Sequence, residues 1–201
     1  MDMLLPFFLT CLIIEATAGP NMGYLAVLSA SHGRRAGFAA LVGVALGLLI
    51  IGIAAALGLA VVISNSPFLY QMLRWGGVLY MLYLAWESWR VEEGFSHRPK
   101  PQQDAKFFRR GLITNILNPK AFVFYVAVLP LYIPQDQGFL QAYALFLTVI
   151  YVAVATIIHI GIVMMAARAQ GFLKDVKRRE FVRKVFAVIL VGIAVWLILK
   201  T

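Results

Sequence analysis

The chain has 201 residues, of which 62% are hydrophobic and only 13% charged, against about 25% charged and 45–50% apolar residues in an ordinary soluble domain. That excess, gathered into long blocks, excludes a single soluble core and points to an integral membrane protein. The formal net charge of +9 is carried in short segments between the apolar blocks; membrane orientation and contact with anionic lipid explain it, and no folded soluble module remains to bind nucleic acid.

Six apolar blocks follow in chain order, at about 3–28, 38–63, 68–89, 111–133, 139–167 and 185–199. Most exceed the roughly 20 residues that a helix needs to cross a bilayer core of about 30 Å. They are predicted as helices, because unpaired backbone is costly in lipid and the alternation of barrel strands is missing. The first block contains "EATAGPNMGY", in which "ATA" resembles a signal-peptidase site. Its start, "MDMLL", carries an acid and no Lys or Arg, which favours a retained span over a cleaved leader. Cys11 is the only cysteine, so no intrachain disulfide or cysteine-based metal site is available. In the second block Gly43, Gly47, Ala54 and Gly58 recur at helical spacing and are expected to serve close helix packing. Arg74 and the Glu87–Arg90 pair read as interfacial anchors near the ends of the third block.

The basic residues divide the loops. Segment 29–37 carries Arg34 and Arg35, segment 90–110 carries six Lys or Arg, and segment 168–184 carries seven, while 64–67 and 134–138 carry none. The positive-inside rule then places the first, third and fifth loops in the cytoplasm and both termini outside. The third loop, "EEGFSHRPKPQQDAK", is polar and Pro-containing; it is predicted to be a flexible linker in which His97 is simply solvated.

The two halves share a break. "AGPNMGYLAVL" in the first block and "LNPKAFVFYVAVL" in the fourth place Pro20 and Pro119 at corresponding positions, 99 residues apart. Three spans per half would make the second half inverted relative to the first, a common transporter plan with discontinuous helices at the interface. The expected architecture is one all-α transmembrane domain over 1–201, with repeats at about 3–90 and 109–200 joined by a linker at about 91–108. Each proline removes a helix donor and frees a carbonyl, which favours breaks that face a protein interior over breaks that face lipid.

Free N–H groups at the half-helix starts after Gly19-Pro20 and after Pro119 suit an anionic group such as a carboxylate, with Asn21 and Asn118 adding amide donors and acceptors. Lys120 reads equally well as a substrate contact and as a structural tie to a freed carbonyl. Glu15, near mid-span, would cost about 2.5–3.5 kcal/mol if it were charged and faced lipid. It is expected to face inward as an ammonium ligand or proton carrier, the plainer alternative being a neutral hydrogen-bonded acid. Thr148, Tyr151, Thr156 and His159 form a polar stripe on the fifth block. His159 is either a structural residue or a proton shuttle that shares the proton of Glu15.

These residues carry a family resemblance. "AGPNMGYLAVLSASHGRRAGFAALVGVALG", "LRWGGVLYMLYLAWESWR" and "FRRGLITNILNPKAFVFYVAVLPLYI" resemble signatures of the lysine exporter / homoserine–threonine resistance (LysE/RhtB-type) family, over nearly the whole chain. The resemblance implies a bacterial inner-membrane exporter of amino acids or related small metabolites. It puts Gly19, Pro20 and Asn21 in a first motif and Asn115, Asn118, Pro119 and Lys120 in a second. Ala18 stands where many members carry Pro. The family often has an acid in the fifth span, whereas this chain has Glu15 in the first and His159 in the fifth.

A proton-driven secondary transporter is therefore the leading expectation, without cofactor or metal and with a small amino-acid-like substrate. No GxxxxGK[ST] motif is present to bind ATP, and no HExxH or CxxC motif suggests an enzyme. A metal-ion exporter is the alternative, with only Glu15 and His159 as intramembrane ligands. The sequence is compatible with a monomer and with a homodimer.

Overall fold

The computed structural model describes residues 3–17, 19–58, 66–90, 101–133 and 140–168, together with scattered helical positions between 180 and 198. All regular structure among the described residues is helical. The elements are α1 (Leu4–Ala16), α2 (Pro20–Ala56), α3 (Pro67–Arg90), α4 (Pro101–Ile116), α5 (Pro119–Val123) and α6 (Leu140–Arg168). A π-helical turn, Phe124–Val128, and a 3-10 turn, Leu129–Tyr132, extend α5.

The first apolar block is not one continuous helix. It breaks between Ala16 and Pro20, where Gly19 is extended (φ −144°, ψ 173°) and Pro20 opens α2. Proline is well suited to that first position, since its missing N–H would have no helical partner there. The loop expected over 29–37 is also absent. Helical hydrogen bonding runs through it, and the chain is re-aimed at a single residue, Gly33 (φ 85°, ψ 179°). Only glycine adopts that backbone without strain. The two parts of α2, 20–32 and 34–56, thus correspond to the end of the first block and most of the second.

The fourth block departs from expectation in the same way. Pro101–Lys106, read as part of a flexible linker, already belongs to α4. Pro101 starts that helix and Asp104 lies in its first turn, where a carboxylate meets the positive end of the helix dipole. The chain then bends by 50° between the helical stretches Gln103–Ile116 and Lys120–Tyr132. Pro130 explains the irregular turns that follow. Its ring clashes with the carbonyl one turn earlier, and the backbone relieves this by widening into the π turn. The remainder of the linker, 91–100, and most of the sixth block lie outside the described residues.

Among the described residues Pro20–Ala56 and Leu140–Arg168 are long and apolar enough to cross a membrane, and the bent pair formed by α4 with α5 and its extension, taken as one span, brings the number to three. The outer surface is apolar, with Ile13, Leu79, Val149, Ile157 and Met165 exposed, while Glu15, Asn21, Asn115, Asn118, Thr148 and His159 are buried. This reverses the distribution of a soluble domain and suits a lipid solvent.

The helices of the centre touch backbone to backbone. A Cβ on Gly43 would overlap the carbonyl oxygen of Phe108, and one on Gly111 would overlap that of Ala40, so α2 and α4 approach as closely as their peptide groups allow. Gly47 lies against the Asn115 side chain, and Gly52 against Thr148 and Tyr125. Gly58, expected to pack, does not. It has φ +87° with open space around it, and its N–H bonds the Ala55 carbonyl at the end of α2. It ends the helix through a left-handed conformation. Ala54, also expected to pack, is only half-buried.

Candidate functional site

Both chain breaks open onto one polar cleft of about 270 Å³, its open mouth included, lined by Glu15, Gly19, Asn21, Met22, Leu48, Asn118, Lys120, Ala121, Tyr151 and His159. Two hydrophobic clusters flank it. Phe7, Cys11, Phe124, Tyr125 and Tyr151 lie in one, and Tyr24, Leu25, Ala40 and Val163 in the other. On α6, Tyr151 and Ala155 belong to the first cluster and Val163 to the second. His159 falls between them in sequence and faces the cleft.

Glu15 occupies the last turn of α1 and is 4% exposed. The Tyr151 hydroxyl donates to its Oε1 at 2.7 Å. The His159 Nε2 stands 3.5 Å from Oε2, and the Lys120 Nζ 3.8 Å from Oε1. Three groups from two other elements therefore surround one carboxylate, as a buried acid requires. Tyr151 is held by aromatic packing. It stacks on Phe124 at 3.6 Å between ring centroids and meets Tyr125 edge-on at 5.6 Å. Phe124 and Tyr125 open the π turn and meet edge-on at 5.3 Å, and Tyr125 is fixed in turn by donating to the Leu48 carbonyl at 2.9 Å.

The two half-helix starts differ. At α5, Asn118 caps its own helix, its Oδ1 accepting from the Lys120 N–H at 3.0 Å. At α2, Gly19 is the N-cap and no side chain caps the first turn. The sequence offers both ends to a carboxylate, but only the α2 end leaves its leading N–H groups without a side-chain cap. Asn21 is engaged sideways, its Nδ2 donating to the Asn115 Oδ1 at 2.5 Å, while the Asn21 Oδ1 and the Asn115 Nδ2 are buried with no partner among the described residues.

Lys120 reaches across the first break. Its Nζ donates to the Thr17 carbonyl at 2.9 Å, and its stem crosses Gly19, where a Cβ would come within 3.2 Å of its Cδ. Of the residues expected at the site, Glu15, Gly19, Asn21, Asn118, Lys120, Tyr151 and His159 line the cleft. Asn115 supports it through Asn21, and Pro20 and Pro119 open the two helices. Thr156 is only half-buried and does not line the cleft. At about 100° per residue it stands about 140° round the helix from Tyr151. Thr148 is buried beside Gly52, away from the lining. The Thr17 carbonyl was not foreseen, because a main-chain acceptor leaves no trace in side-chain pattern; the break itself was the only signal. Among the described residues no group of three or more His, Cys, Asp and Glu could hold a metal ion.

An apolar-surfaced helical assembly, with a buried carboxylate where interrupted helices meet, has the construction of a membrane transporter. The chain belongs to the LysE type translocator family, whose model matches residues 12–201. It is 28% identical over 182 residues to the homoserine/homoserine lactone efflux protein of Salmonella typhi, covering 90% of this chain and 88% of that one. It is 25% identical over 157 residues to the threonine efflux protein of Escherichia coli K12, covering 73% of this chain and 76% of the relative. An uncharacterized membrane protein of Bacillus subtilis, YrhP, is 28% identical over 175 residues, with 82% and 83% covered. No solved structure matches the chain.

Proposed function

We propose that the protein exports a small amino acid or closely related zwitterion across the bacterial inner membrane in exchange for protons. The observation that carries this reading is Glu15, buried at the meeting point of both broken helices with Tyr151, His159 and Lys120 around it. Two relatives named for homoserine and threonine efflux support the same substrate class.

The break in the first span supplies both poles of a zwitterion site. The uncapped start of α2 at Gly19 faces the substrate carboxylate with its leading N–H groups, and Glu15 takes the ammonium. Proton transfer to Glu15, with His159 as the adjacent exchangeable base, removes the negative charge that holds the ammonium and releases the substrate. Tyr151 holds the carboxylate in position through both events. Around this site the chain forms six spans in two inverted repeats of three, with both termini outside and the basic segments in the cytoplasm.

Efflux of radiolabelled homoserine and threonine from loaded cells tests the reading, with a panel of other amino acids beside them. Expression should accelerate the loss of at least one, and a protonophore should abolish the acceleration. Divalent-metal tolerance conferred without any amino-acid efflux would replace this reading with that of a cation exporter.

A further inference from the structure

We propose that Lys120 is a tethered stand-in for the substrate's ammonium group, and that the Thr17 main-chain carbonyl together with Glu15 is the site both ammonium groups share. This deepens the zwitterion-export reading and rests on it for the identity of the natural ligand.

The geometry is that of an occupied ammonium site. The Lys120 Nζ donates to the Thr17 carbonyl at 2.9 Å and lies 3.8 Å from the Glu15 Oε1. Thr17 is the C-cap of α1 (φ −74°, ψ 128°), so its carbonyl has left the helical hydrogen-bonding pattern at the helix end. An ammonium has three donors and no acceptor, and it is met here by a carbonyl oxygen and a carboxylate oxygen. A substrate α-ammonium presents the same donors on the same tetrahedral nitrogen. The acceptors come from the first half of the chain and the cation from the second, across a helix break, with no residue at 19 bulky enough to hold them apart. At Gly19 even a methyl group would crowd the Lys120 stem.

Lys120 is also placed to yield. Its side chain is 23% exposed, against 6% for Glu15, so it can leave toward the open mouth without crossing the core. Its backbone is fixed meanwhile, the N–H bonded to Asn118 at the start of α5. An arriving ammonium takes the Thr17 carbonyl and Glu15, and the released Lys120 is free to meet the substrate carboxylate. An empty site retains a counter-charge for Glu15, and a ligand lacking a primary ammonium has nothing with which to displace Lys120. A merely structural lysine would tie the break and would not compete with ligand.

The test uses n-propylammonium chloride as a probe on detergent-purified protein and follows thermal unfolding. Lys120→Met keeps most of the stem and removes the ammonium, leaving the site vacant. Propylammonium should then stabilise Lys120→Met at concentrations about tenfold below those needed for wild type, the scale of one charge-assisted hydrogen bond. Tetramethylammonium, which has no N–H, should stabilise neither, and adding Glu15→Gln to Lys120→Met should abolish the effect. Equal action of propylammonium on both proteins, or equal action of tetramethylammonium, overturns the proposal. If Lys120→Met cannot be purified folded, Lys120→Ala expressed with and without propylammonium replaces it, and failure of the amine to rescue that variant shows that the site takes no free ammonium and sinks the idea. Amine binding without efflux of any amino acid would overturn the export reading and leave the ammonium site standing. Efflux with no selective amine effect would do the reverse.

Discussion

Asn21 and Asn115, 94 residues apart, are joined by a buried side-chain hydrogen bond of 2.5 Å between the first turn of α2 and the last of α4. It ties the two broken spans together beside the cleft. Removing one partner strands the other in the interior, which costs about 1–3 kcal/mol. Asn21→Ala and Asn115→Ala should each lower the unfolding temperature, and the double variant should lose distinctly less than the sum of the two. Thermal unfolding of the four proteins in one detergent measures this, and strict additivity would mean that the bond contributes nothing.

The close approach of α2 and α4 makes a second expectation. Gly43→Ala and Gly111→Ala each drive a methyl group into a facing carbonyl oxygen, and overpacking of this kind costs about 1–3 kcal/mol. Among the described residues nothing lies within 4 Å of a Cβ added at Gly161 on α6, so Gly161→Ala is the matched control. Yield of folded protein and unfolding temperature should fall for the first two variants and hold for the third.

What the sequence made legible follows from which features have a side-chain signature. Gly-Pro and Asn-Pro inside apolar runs mark both breaks; of the stripe Thr148, Tyr151, Thr156 and His159, only Tyr151 and His159 line the cleft with Glu15. The turn at Gly33 has the sequence signature of a nine-residue loop, because its basic flanks resemble a solvated segment, yet one glycine with positive φ suffices to re-aim a helix. The helical start of α4 was hidden in the same way by a polar, Pro-rich composition. Neither the π turn at Phe124 nor the Thr17 carbonyl could be read, since both are main-chain responses to packing and to a downstream proline.

Tyr151→Phe isolates the hydrogen bond to Glu15. The ring keeps its stack on Phe124 and its edge contact with Tyr125, so the fold should persist, with a lower unfolding temperature from the lost bond. The carboxylate loses a donor worth about 1.5–3 kcal/mol, and the KM for substrate should rise about tenfold or more. Unchanged transport kinetics would show that Tyr151 fills space and does not position Glu15.

Topology is open to direct labelling. With Cys11 buried, a single cysteine placed at His97 should resist an impermeant thiol reagent in intact cells and react after permeabilisation. One placed near residue 136 should react in intact cells. Labelling at 97 in intact cells would reverse the orientation drawn from the basic segments.

The role of Glu15 is tested most directly by proton-driven accumulation. Glu15→Gln keeps the size of the side chain and its capacity to hydrogen-bond Tyr151 but cannot release a proton. Folding and expression should persist and downhill exchange of labelled substrate should weaken with the lost ammonium contact, while the concentration gradient driven by an imposed proton gradient should collapse. Wild-type concentrative efflux from Glu15→Gln would contradict the proton-carrying role and leave Glu15 as a structural hydrogen-bonding residue.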